Sequence, residues 1–269
     1  MQLLPAAVLG VVQGITEFLP ISSDGHLALV YRMFGMHPNL TYEVFLHGAT
    51  LIAMYAYFWR DIVDLLAAML PKNAEHKAQR RTILLIIVGT LVSGVVAKAL
   101  EPVVEPMSAS MIWVSVWFLG TSLLLFAAEF LSKRVSEVRT EALSYPKVAF
   151  VGLMQGLAVL PGLSRSGSTI ASGMMAGLNR ERAARFSFLL GIPIITLAFG
   201  LDAVDVLRGG ATLPGLVPSL VGFLAAGVSG YFAVRGLLKF VRTHRLYPFA
   251  IYTAALAAIL FVMTVLNKG

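Results

Sequence analysis

Apolar runs dominate this chain, and short polar or proline-containing breaks interrupt them. A membrane span needs about 20 mostly apolar residues. Tyr42–Trp59, Thr82–Leu100, Met111–Leu131, Phe186–Val204, Leu216–Phe240 and Pro248–Leu266 approach or meet that length and predict six transmembrane helices. Two further apolar regions are too short to cross. Leu3–Leu19 stops at Pro20, and the piece His26–Phe34 follows it; Val148–Leu160 stops at Pro161-Gly162, and a short helix to about Leu178 follows the loop Leu163–Gly167. Each pair predicts a helical hairpin that enters the bilayer and turns back, because polar backbone at that depth is tolerated only where protein or water covers it. Asp61–Leu70, apolar with two spaced acids, predicts an interfacial helix. Glu101, Pro102, Glu105 and Pro106 predict a stiff acidic connector. The expected fold class is an all-α polytopic membrane protein, with six transmembrane helices and two re-entrant hairpins.

Composition supports that class. Charged residues make up 13% of the 269 residues and hydrophobic ones 58%, against roughly 25% charged in a soluble domain; mean hydropathy is +0.81. The absence of cysteine removes disulfides and thiolate metal sites. The net charge of +7 is not a nucleic-acid signal, since the basic residues sit in short loops between apolar runs. Lys72, Lys77, Arg80 and Arg81, then Lys133, Arg134, Arg139 and Lys147, then Lys239, Arg242 and Arg245 follow spans one, three and five. Glu101, Glu105, Asp202 and Asp205 follow spans two and four. The excess of Lys and Arg places the first set in the cytoplasm and both termini outside. The first hairpin then dips in from outside, and the second, flanked by Lys147 and Arg180, rises from the cytoplasm. The N-terminus has no basic region or small-residue cleavage site and is not read as a signal peptide.

The two hairpins resemble each other. Gln13-Gly14 matches Gln155-Gly156, Leu19-Pro20 matches Leu160-Pro161, and Ser22–Gly25 matches Ser164–Gly167. Phe45-Leu-His-Gly48 matches Phe188-Leu-Leu-Gly191 at nearly the same offset. One membrane domain, 1–269, would thus hold repeat halves 1–131 and 145–269. An odd number of spans per half inverts the second copy, and the broken helices of inverted repeats meet near the midplane to form a site.

The breaks carry the chemistry. Gln13 and Glu17 are four apart and share a helix face, and a carboxylate inside a membrane is a functional candidate by default. Ser22, Ser23, Asp24 and Gly25 lead into a helix expected near His26, where free N–H groups attract anions. Gly162–Thr169 repeats the design with Ser164, Ser166, Ser168 and Thr169 hydroxyls and with Arg165, whose planar fork suits phosphate oxygens. Two helix N-termini and one arginine describe a phosphate site. His26 could take a proton from Ser23 or attack phosphorus itself. Glu17 could orient His26, or hold a divalent cation with Gln13. His47, on the first span, either lines the cavity or is structural; His37 and His244 are interfacial. The arrangement requires the Arg165 guanidinium and the His26 imidazole to reach one phosphoryl group.

Gln13-Gly-Ile-Thr-Glu17, running into Phe18-Leu-Pro-Ile-Ser-Ser23 and Gly25-His26, together with Pro161-Gly-Leu-Ser-Arg-Ser-Gly-Ser-Thr169, resembles the paired motifs of the bacterial undecaprenyl-diphosphatase family, also called BacA or UppP bacitracin-resistance proteins. The resemblance covers essentially the whole chain. It implies removal of the terminal phosphate from a C55 polyprenyl diphosphate, regenerating the lipid carrier for peptidoglycan and other envelope polymers. It also implies a plasma-membrane enzyme with its site open to the outer face, supported by Mg²⁺ or Ca²⁺. Its important positions map onto Glu17, Ser23, His26, Ser164, Arg165 and Thr169, with Gln13 the variant of a first acid. Assembly, including a homodimer, is left open. Asp24 departs from the family's Thr or Ser, and its charge would repel a diphosphate unless a metal or Arg165 neutralised it. The same features would also suit a transporter flipping a phosphorylated polyprenol.

Overall fold

The structure is a computed structural model that describes residues 1–70, 76–134, 143–209 and 213–266. Lys72 and Arg139 of the expected basic loops lie outside these residues, as do the side chains of Glu105, Lys133, Arg134, Asp202 and Asp205. Every regular element among the described residues is a helix: α1 Leu3–Phe18, α2 Ser23–Met33, α3 Leu40–Tyr57, α4 Trp59–Ala68, α5 Lys77–Ser108, α6 Met111–Arg134, α7 Tyr145–Leu157, α8 Arg165–Met175, α9 Arg180–Leu207, α10 Leu216–Thr243 and α11 Tyr247–Leu266.

Five of these, α5, α6, α9, α10 and α11, are long and apolar enough to cross a membrane, so the chain is a multi-pass membrane protein. The expected first span is not among the five. Its helix, α3, carries Glu43, His47 and Thr50 in eighteen residues, too polar a surface for lipid. It is instead packed among α1, α9 and α10, which cover Leu46, Thr50 and Met54 completely. The acidic connector is also different in form. Helix α5 runs through Pro102 and Pro106 to Ser108, although proline removes a backbone donor. The pair Lys98–Glu101, 2.5 Å apart on its surface, lies at the start of this extension.

The hairpins are α1–α2 and α7–α8. In the first, the chain leaves the helix at Leu19 and turns through Pro20 and Ile21 to Ser22, whose φ of 70° makes it the one described non-glycine residue with positive φ. Helix α2 therefore starts at Ser23, three residues before the expected position, with Asp24 in its first turn, where an acid is favoured by the helix dipole. In the second, Gly162 has φ 99°, and a Cβ there would lie 2.3 Å from the Val114 carbonyl oxygen; only glycine fits. Helix α7 begins at Tyr145 rather than Val148 because Pro146 pre-sets its first turn.

Small residues let these short helices approach their long partners. A Cβ on Gly10 of α1 would meet the Gly222 oxygen of α10 at 2.2 Å, and one on Gly152 of α7 would meet the Gly89 oxygen of α5 at 2.5 Å. Close backbone approach of this kind substitutes for a hydrophobic drive that lipid cannot supply. Away from the hairpins, ion pairs tie the helices together. Arg180 grips buried Glu129 through Nε at 2.7 Å and Nη2 at 2.6 Å, and Glu129 also accepts from the Leu246 N–H at 2.8 Å. Arg185–Asp61 and Arg242–Glu181 continue the network across α4, α9 and α10. Arg180, Arg182 and Arg185, which precede the expected fourth span, form the first turns of α9 under an asparagine cap: Asn179 accepts from the Arg182 N–H at 2.8 Å.

Candidate active site

The two breaks meet. The Ser166 hydroxyl, at the start of α8, donates to the Leu19 carbonyl at the end of α1, 3.0 Å away. The second break is pinned from α6 by Thr121, which donates to the Gly162 carbonyl at 3.1 Å and accepts from the Ser164 N–H at 2.9 Å. This brings Arg165 across to Glu17, and the two form an ion pair between hairpins.

Glu17 is the centre of the site. Its side chain is only 3% exposed, a placement that demands compensation of its charge. Arg165 supplies it at Oε1. At Oε2 the Gln13 amide donates at 3.0 Å and the Ser23 hydroxyl at 2.9 Å; the His47 Nε2 lies 3.3 Å away. The other Arg165 terminal nitrogen, Nη1, is buried with no protein hydrogen-bond partner among the described residues. It has room because Gly191 faces it: a Cβ there would sit 2.3 Å from Nη1.

A cavity of about 310 Å³ opens beside this cluster, within the size range of small-ligand sites. Glu17, Ser22, Ser23, Asp24, His47 and Arg165 line it together with Ser93, Gln155 and apolar side chains that include Val159, Ile194, Ile195, Ala198 and Phe199. One pocket thus combines charged groups with a hydrocarbon-like lining.

Of the residues singled out from the sequence, Glu17, Ser22, Ser23, Asp24, His47 and Arg165 line this cavity. His26 does not. Its Nδ1 lies 2.6 Å from the Ser22 carbonyl and its Nε2 2.7 Å from the Tyr252 hydroxyl. The ring stacks on Tyr252 and meets the edge of Phe118. The cause is the early start of α2: two residues along a helix turn roughly 200°, so Asp24 and His26 point to opposite sides. The imidazole beside Arg165 and Glu17 is that of His47, held by its Nδ1 at 2.9 Å from the Glu43 carbonyl.

The hydroxyls of the second loop are also placed differently from expectation. Ser164 caps α8 by accepting from the Gly167 N–H at 3.0 Å and touches Ser166 at 3.2 Å. Thr169 donates to the Arg165 carbonyl at 2.8 Å and meets Ser187 at 2.5 Å. Ser168 is buried with no side-chain partner. None of the four lines the cavity; they build the loop that presents Arg165. Gln13 likewise supports Glu17 from outside the cavity, its Oε1 buried and unpartnered. Sequence reading undervalued His47, although a histidine four residues after Glu43 in an apolar helix is a recognisable signal.

Comparison with known proteins agrees with this geometry. The model of the family described as bacitracin resistance protein BacA matches residues 6–259. Proteins named undecaprenyl-diphosphatase align over almost their whole length. One from Methanosphaera stadtmanae is 36% identical, covering 98% of this chain and 99% of that one. Another from Trichlorobacter lovleyi is 39% identical over 100% and 99%, and one from Geobacter metallireducens 39% over 96% and 98%. With both hairpin motifs inside the matched region and the coverage nearly complete, the chain belongs to the bacitracin resistance protein BacA family.

Proposed function

We infer that this protein is a membrane-embedded phosphatase that hydrolyses undecaprenyl diphosphate to undecaprenyl phosphate and inorganic phosphate. The observation that carries the reading is the Glu17–Arg165 pair joining the two hairpins, with the Ser23 hydroxyl on the same carboxylate in a mostly apolar cavity. The relatives' names give the substrate, and no observation favours a flippase. Phosphate release from undecaprenyl diphosphate by the purified protein in detergent micelles tests it. Pure transport needs sealed vesicles and releases nothing.

In the mechanism we propose, Arg165 turns its unpartnered Nη1, and the first-turn N–H groups of α2 present themselves, to the phosphoryl oxygens. The Ser23 oxygen attacks the terminal phosphorus and its proton passes to Glu17 Oε2. The bridging P–O bond breaks, and polyprenyl phosphate leaves. Water then attacks the phosphoserine phosphorus, the P–Oγ bond breaks as the proton on Glu17 returns to Ser23 Oγ, and inorganic phosphate leaves with the water's oxygen and protons, restoring Ser23 and the Glu17 carboxylate. Phosphoryl transfer depends chiefly on such positioning and charge stabilisation. Support for Ser23 over His26 is the 2.9 Å contact with Glu17. His26 orders the loop through the Ser22 carbonyl.

The residues do not fit a divalent cation held by Glu17 and Gln13. Both Glu17 oxygens are engaged by protein donors, Gln13 lies outside the cavity, and no group of three His, Asp or Glu side chains among the described residues is arranged to hold a metal ion. No step is routed through a metal at that position.

The residues proposed to act on the substrate all come from one chain. The halves 1–131 and 145–269 are read as an inverted repeat. What supports this is an exchange of partners: α1 packs on α10 and α7 on α5, while α3 pairs with α9 and α6 with α11. With the charge asymmetry of the loops, the cavity opens to the outer face of a bacterial plasma membrane.

A further inference from the structure

Asp24 brings a carboxylate to the wall of a cavity that must admit a diphosphate, and its side chain is 49% exposed there. Arg165 is committed to Glu17. A second positive charge is needed, and the geometry supplies it in His47. The Nδ1 of His47 faces the Glu43 carbonyl at 2.9 Å. Its Nε2 faces Glu17 Oε2 at 3.3 Å and Asp24 Oδ1 at 3.9 Å. A carbonyl and an ionised carboxylate only accept hydrogen bonds, so both ring nitrogens meet their partners as donors when the ring is an imidazolium. Around it stand Glu17 from α1, Asp24 from α2, Glu43 from its own helix α3 and Arg165 from α8.

We propose that His47 is the second protein cation of the phosphate site, a positioning residue that offsets Asp24 and holds Glu17 Oε2 toward Ser23. With His47 charged, the Glu17–Arg165 and Asp24–His47 groups sum to neutrality before substrate enters. Without it the cavity wall carries an excess negative charge, and a diphosphate is repelled. Asp24 and the histidine facing it at 3.9 Å therefore act as a coupled pair. The inference rests on the phosphatase reading.

The test is a double-mutant cycle on the full-length protein in micelles, at fixed Mg²⁺, measuring KM and kcat for undecaprenyl diphosphate and inhibition by inorganic diphosphate. His47→Gln is expected to raise KM roughly 10–100-fold, the order of one lost charge-assisted hydrogen bond, and to weaken inhibition by inorganic diphosphate in parallel. Asp24→Asn alone is expected to lower KM. Asp24→Asn combined with His47→Gln is expected to recover most of the lost affinity. A merely structural histidine gives lower kcat without this reciprocal KM behaviour, and that result overturns the proposal, as does failure of the Asp24 change to rescue. If His47→Gln does not fold, Asp24→Asn still decides by whether inorganic diphosphate inhibits it more tightly than the parent. Absence of phosphate release by the unmodified protein contradicts the phosphatase reading itself; release with an uncoupled cycle contradicts only the role of His47.

Discussion

The Glu17–Arg165 pair makes a quantitative prediction that separates folding from chemistry. Glu17 is 3% exposed, and among the described residues Arg165 is the partner of its Oε1. Arg165→Ala leaves that oxygen buried without its cation, His47 remaining only at Oε2, a change that costs about 3–5 kcal/mol of stability. It also removes the charge facing the phosphoryl group, which lowers kcat at least about 100-fold. Replacing both partners, as Glu17→Gln with Arg165→Met, removes the buried charge altogether and recovers most of the stability, because a neutral amide with Gln13 and Ser23 beside it is cheap to bury. Activity stays lost, since base and cation are both gone. Thermal unfolding in detergent reads the first quantity and phosphate release the second. The reasoning is refuted if Arg165→Ala unfolds like the parent, or if it turns over within about tenfold of it.

Other expectations follow from the same contacts. Ser23→Ala removes the proposed nucleophile but no buried ion pair, so kcat is expected to fall about 10³-fold or more while the unfolding temperature changes little; steady-state assays and thermal scans check this together. His26→Ala loosens the loop by freeing the Ser22 carbonyl and is expected to lower kcat, with Tyr252→Phe reproducing part of the loss because it breaks the same chain of hydrogen bonds; a fully normal Tyr252→Phe beside an inactive His26→Ala would point instead to direct catalysis by His26. Glu129→Gln disrupts a bidentate contact with Arg180 and weakens the acceptor for Leu246, far from the cavity. It is expected to destabilise by about 3 kcal/mol with KM unchanged, measured by unfolding and kinetics on one preparation.

The two hairpins were legible because their signals are local. Pro20 and Pro161-Gly162 forbid continuous helix, and the polar residues after each break have no place in lipid. The pairing of Glu17 with Arg165 was also within reach once two opposed breaks were recognised. The exchange of His26 for His47 was not. It hangs on where α2 begins, and Ser22 adopts a positive φ that no serine signals in sequence. The three-residue shift rotates His26 away to Tyr252, a partner 226 positions along the chain. The embedded character of α3 was hidden for a related reason: Glu43 and His47 are tolerated because other helices surround them, and sequence hydropathy cannot register a neighbour. Ser164, Ser166 and Thr169 carry the right chemistry for phosphate, but their hydroxyls are consumed in shaping the loop.

The central claim is that one phosphoryl group is handled by residues from both hairpins, and a structure of the protein with inorganic diphosphate bound tests it most directly. The account predicts a phosphorus about 3–3.5 Å from the Ser23 hydroxyl oxygen, the separation of a near-attack arrangement, with its oxygens on Arg165. A diphosphate bound against His26 and Tyr252, or held by one hairpin alone, would contradict it.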